Sequence, residues 1–162
     1  MGGRSLISLG LALAALFEVW WCFSNDFQMA WMYEFSAYAD IARSIAEGGY
    51  HSQFVYPTEL ATLETSSYAQ PPWPVTYRFP LFAAWVGIFF KLFGPSDGAV
   101  VVAGASAWAL FVVSTYHLGA SVFPGQSRLA LRAALLMLAT PVMFRYFTLW
   151  GYADILFGVV LL

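Results

Sequence analysis

Charge is scarce in this chain: seven Lys and Arg with nine Asp and Glu make up 10% of its 162 residues, while 60% are hydrophobic. A soluble domain carries roughly 25% charged residues, so the composition excludes an ordinary soluble protein and points to a membrane protein. The net charge of −2 excludes the polybasic surface that draws nucleic acid. Partners are expected instead among membrane lipid, a lipid-linked substrate or other membrane chains. Cysteine is almost absent. The single Cys22 excludes an internal disulfide, and its place in an apolar run reads as a small buried hydrophobe. Histidine is scarce too. His117 lies mid-way through a long apolar run with no second histidine at matching depth and no pigment motif. A hydrogen bond to a neighbouring helix therefore outweighs ligation of a haem or chlorophyll magnesium there. No cofactor is assigned, and a divalent metal or a pigment stays open.

The N-terminus lacks a small-x-small cleavage site, which argues against a removed signal peptide. Its apolar run from residue 5 to 23 holds 19 residues. At 1.5 Å each that is about 28 Å, enough to span a bilayer core of about 30 Å. Residues 1–23 are thus expected to form a first span, with Trp20 and Trp21 at its far interface and Glu18 as its internal charge. Residues 24–78 form an expected external loop. Within it Tyr38, Ile41, Ala42 and Ile45 recur at helical spacing, which predicts an amphipathic helix over 34–47 that Gly48 and Gly49 stop. The prolines at 71, 72 and 74 force extended backbone.

Residues 79–162 read as an interfacial helix followed by a transmembrane bundle. The apolar stretch 79–93 has 15 residues, about 22 Å as a helix, which is marginal for a span. Residues 98–123 and 129–147 are full spans joined by the turn "PGQSR", and "ILFGVVLL" begins a further one. Lys and Arg concentrate on cytoplasmic loops. Arg4, Arg128 and Arg132 share one side only if the first span leads outward, 79–93 stays at the outer interface, 98–123 returns and 129–147 leads out again. The expected fold is therefore all-α: a polytopic helical membrane protein with about three full spans, an interfacial helix, the start of a further span and one outer loop carrying an amphipathic helix.

Three ordered patterns bear on function. They are Glu34-x-x-x-Tyr38-x-x-Ile41-Ala42-Arg43, then Tyr77-Arg78-Phe79-Pro80-Leu81 opening "FAAWVGIFFKLFG", then Tyr152-Ala153-Asp154-Ile155-Leu156 after two spans and a basic turn. In order and spacing they resemble the N-terminal part of the GT-C membrane glycosyltransferases, in the branch of protein O-mannosyltransferases and aminoarabinose transferases. The resemblance implies transfer of a sugar from a polyprenyl-phosphate donor to an acceptor on the outer face. It also implies an integral protein of the bacterial inner (plasma) membrane with a cytoplasmic N-terminus. Glu34 and Asp154 then correspond to the catalytic acids and Arg78 to the residue that binds the donor phosphate. The chemistry is coherent, since a forked guanidinium suits departing phosphate and a carboxylate can take the acceptor's proton.

Each of these residues also has a structural reading. Glu34, Asp40 and Glu47 could form the solvated face of an interfacial helix, and Arg78 and Lys91 could be anchors to lipid headgroups. Arg145 lies nine residues before Asp154 and is its natural ion-pair partner. Arg145 and Asp40 are thus candidates for an ion-pair or supporting role. The chain looks incomplete for catalysis alone, because GT-C enzymes have many more spans. The alternative is a non-catalytic accessory transmembrane subunit with a GT-C-like scaffold packed in a larger membrane complex.

Overall fold

The computed structural model describes residues 3–26, 33–52, 73–74 and 80–140. It is mostly helical. In chain order the elements are α1 (Gly3–Asp26), α2 (Tyr33–Ala46), β1 (His51–Ser52), β2 (Trp73–Pro74), α3 (Pro80–Phe93), α4 (Asp97–Val122) and α5 (Ser127–Leu138). Two of the described helices are long and apolar enough to cross a membrane: α1 over Gly3–Cys22, and α4. The chain divides into two compact units, one of Met1–Met29 with Val101–Leu162 and one of Ala30–Val100.

In the first unit, α1 buries Leu11, Ala15 and Val19, spaced four apart on one stripe. Leu6, Leu9, Leu13, Leu16 and Phe17 on the same helix are exposed. The stripe is bracketed by two contacts to α4. Ser8 Oγ lies 2.9 Å from His117 Nε2, and the Trp108 Nε1–H donates to Glu18 Oε2 at 3.2 Å. Ten residues separate the α1 partners and nine the α4 partners, about 15 Å and 13.5 Å of rise, in opposite chain order. The two helices therefore run side by side and antiparallel. On α4 the stripe Trp108, Val112, Tyr116 and Ala120 is buried at the same four-residue spacing. A tight turn with Gly125 at φ 86° then reverses the chain into α5. There the backbones come close: a Cβ on Gly119 would lie 3.1 Å from both Cα and Cβ of Ala130.

In the second unit, α2 and α3 pack face to face. Tyr38, Ile41 and Ala42 are buried from α2, and Phe82, Ala83, Val86, Gly87 and Phe90 from α3. Tyr38 and Phe82 meet edge to face, with ring centroids 5.3 Å apart, a geometry that adds about 0.5–1.5 kcal/mol beyond area burial. Gly87 sets the approach, since a Cβ there would come 3.1 Å from the Ala42 carbonyl oxygen. A two-residue antiparallel ladder pairs His51 with Pro74 and Ser52 with Trp73. Extended backbone at Pro74 is as the prolines require; its pairing with β1 is an addition to the helical reading.

Trp108, within the long helix α4, is fully buried. Its indole N–H has an acceptor in Glu18, so the ring can be buried without an unsatisfied donor.

Candidate functional site

The acid-bearing helix α2 is the part of the expected site that lies within the described residues. Glu34 stands in its first turn, one residue after Tyr33. Asp40 follows six residues later, about 9 Å along the axis and rotated by about 240°, so the backbone sets the two acids on different faces. Arg78, Arg145 and Asp154 lie outside the described residues.

Asp40 does not belong to a solvated face. It is 6% exposed, and its Oδ2 accepts a hydrogen bond from the Ser52 hydroxyl at 2.8 Å. Ser44, one turn further along α2, is 4% exposed and accepts the His51 backbone N–H at 3.1 Å. The Ser44 hydroxyl also lies 2.9 Å from His51 Nδ1. The two groups share one hydrogen bond, whose direction is set by the tautomer of the imidazole. Asp40 and Ser44 are thus an i, i+4 pair holding both residues of β1 against α2. Burial makes these bonds strong and their loss costly. This arrangement is a clamp. A buried carboxylate engaged by a serine is poorly placed to take a proton from an acceptor substrate.

Glu47 and Lys91 are exposed, in keeping with solvated or headgroup-facing roles. Tyr50 directly precedes β1, and burial first, then Tyr38, raise its phenol above the ordinary value of 10.0. Among the described residues no three His, Cys, Asp or Glu gather in a way that could hold a metal ion.

The polar residues within the long helices find neighbours there. Ser8 Oγ donates to the Arg4 carbonyl at 3.0 Å, so its contact with His117 is supplied by the imidazole Nε2–H. The expected helix-to-helix hydrogen bond of His117 is therefore present, and Glu18 likewise contacts a second helix through Trp108. Sequence reasoning missed Ser44, His51 and Ser52 as a set. Their only linear signal is the i, i+4 spacing of Asp40 and Ser44 followed by the Gly48-Gly49 turn.

The chain is, by its fold, a helical protein with two helices of membrane-spanning length and a small polar clamp on its short amphipathic helix. No family model, curated protein or solved structure matches it.

Proposed function

We propose that the chain is an integral membrane protein carrying the N-terminal part of a GT-C-like glycosyltransferase, which moves a sugar from a polyprenyl phosphate to an acceptor on the outer face. Its N-terminus is cytoplasmic, and the membrane is the bacterial inner one. Glu34 takes the acceptor's proton as the acceptor oxygen bonds to the sugar's anomeric carbon. The bond from that carbon to phosphate oxygen breaks, and Arg78 holds the negative charge left on the polyprenyl phosphate. Asp154 supplies the second acid.

The observation that carries this reading is the antiparallel pairing of α1 and α4. The chain leaves α1 and enters α4 at one end of that pair, so the segment bearing Glu34 and Arg78 makes no net crossing. Helix α3, with 14 residues, would measure about 21 Å, short of a bilayer core of about 30 Å. The exposed apolar face of α1 supports immersion in lipid.

A second reading, an accessory subunit on a GT-C-like scaffold within a larger complex, is favoured by Asp40. An acid of the family-like helix is engaged in holding β1. One experiment separates the two. The chain is isolated from its native membrane with whatever accompanies it, reconstituted, and assayed for sugar transfer from a polyprenyl phosphate. The enzymatic reading expects turnover that falls at least about a hundredfold with Glu34→Gln. Stoichiometric recovery with an unrelated complex and no transfer assigns the chain to the accessory role.

A further inference from the structure

We propose that the end of the first unit where Arg4, Arg128 and Arg132 gather is a binding site for a phosphate group, carried by an anionic lipid headgroup or present as the free ion. Two adjoining clefts of about 380 Å³ each open there. Arg4 and Tyr116 line one, Arg128 and Arg132 line the other, and Ser127 lines both. The arginines come from separate places in the chain, the start of α1 and the first two turns of α5, and the turn at Gly125 brings them together.

Three features point to an anion. The first is charge with no acid beside it among the described residues of the first unit. Of the acids in the first unit, Glu18 lies 14 residues along α1 from Arg4, about 21 Å away, and Asp26 lies still farther along that helix. Asp154 is outside the described residues. Three guanidinium groups at one helix end, with forked donors, match the oxygens of a phosphate. The second is the start of α5 at this same spot. Its N-cap residue Gln126 makes no side-chain capping bond, and while the Leu129 and Ala130 N–H groups donate to the Gln126 carbonyl, those of Ser127 and Arg128 are left for a ligand or water.

The third feature is independent of charge. Tyr116 lines the cleft and is fully buried, and its hydroxyl is, among the described residues, the buried side-chain atom with no hydrogen-bond partner. Buried hydroxyls are nearly always paired because leaving one unpaired is costly. The partner assigned to it in this proposal is a ligand oxygen in the adjoining cleft, reached by a small shift of the ring since the hydroxyl itself is covered. The site lies at the start of α1, not at the end from which the chain runs on to Glu34, so it stands or falls apart from the glycosyl-transfer reading.

The test uses the full chain in neutral maltoside micelles. Binding of short-chain phosphatidylglycerol and short-chain phosphatidylcholine is read by native mass spectrometry, and binding of inorganic phosphate by phosphorus NMR. The site predicts tighter binding of phosphatidylglycerol than of phosphatidylcholine, weakened about tenfold by Arg128→Gln. Arginine-dependent binding of inorganic phosphate identifies the free ion as sufficient; arginine-dependent binding of phosphatidylglycerol without it identifies the headgroup. Either result supports the site. Equal affinity for the two lipids with no phosphate binding, or binding unchanged in the Arg4→Gln, Arg128→Gln double variant, overturns it. Tyr116→Phe gives a second check should the arginine variants fold poorly. It is expected to leave the ligand-free melting temperature unchanged while weakening binding; lost stability with unchanged binding would show that the hydroxyl serves the fold.

Discussion

Two adjacent glycines end α2, and they do so for different physical reasons. Gly48 has φ +91°, a left-handed conformation, with nothing near the position a Cβ would take. Gly49 lacks that conformation but lacks space as well: a Cβ there would sit 2.7 Å from His51 Cε1 and Nδ1 and 3.0 Å from Ser44 Oγ. Its N–H also donates to the Ser44 carbonyl at 2.8 Å, closing the turn that delivers His51 to the clamp. Gly48→Ala is therefore expected to cost about 1 kcal/mol through backbone strain alone. Gly49→Ala must displace the imidazole and the buried bonds it shares with Ser44, and a cost of about 2–3 kcal/mol is expected. Chemical denaturation of the two variants side by side checks the order; Gly49→Ala no worse than Gly48→Ala would remove the clamp from the stability of this unit. The helix stop was legible from the Gly-Gly pair, whereas the clamp was not, because Asp40 in a polar loop reads equally well as a solvated acid.

At the scale of elements, small residues decide how closely helices approach. Gly119 meets Ala130 at a separation that a methyl group would fill, with both the Cα and the Cβ of Ala130 at 3.1 Å from the added atom. Gly119→Ala should push α4 and α5 apart and destabilise the hairpin, by about 1–3 kcal/mol. Ala130→Gly in the same chain removes one of the two opposing atoms, so the double variant should recover part of the loss. A thermodynamic cycle of melting curves in micelles measures the coupling; strictly additive effects would mean that the two residues are not in contact. The helices themselves were readable. Apolar runs bounded by glycine and proline predicted 98–123 and 79–93, and the structure has Asp97–Val122 and Pro80–Phe93; the expected full span 129–147 is not one helix, because α5 closes at Leu138 with Ala139 as its C-cap. The β1–β2 ladder left no such trace, since two residues per strand are too few to show an alternating pattern. The burial of Trp108 left no trace in the sequence, because the acceptor for its indole N–H is Glu18, 90 residues away in the chain.

For the molecule as a whole, sidedness is the property on which the enzymatic reading depends. Glu34, Arg78 and Asp154 can share a substrate only from one aqueous compartment. The antiparallel pairing of α1 with α4 is legible only in three dimensions, although the distribution of Arg4, Arg128 and Arg132 already favoured that parity. A chain with Cys22→Ala and single cysteines introduced at Ser24, Ser127 and Asp154 tests the arrangement in sealed, oriented vesicles. Ser24 ends the apolar part of α1 and Ser127 opens α5, so the two should label from opposite sides with an impermeant maleimide. Asp154 lies 27 residues beyond Ser127, more than the about 20 residues that one crossing needs, which is enough chain to return to the side of Ser24. Labelling of positions 24 and 154 from the outside and of 127 from the inside is the expected pattern. If 24 and 127 label from the same face, the antiparallel α1–α4 pair does not cross. If 24 and 154 label from opposite faces, Asp154 lies across the bilayer from the loop that carries Glu34, and a shared catalytic cleft is ruled out.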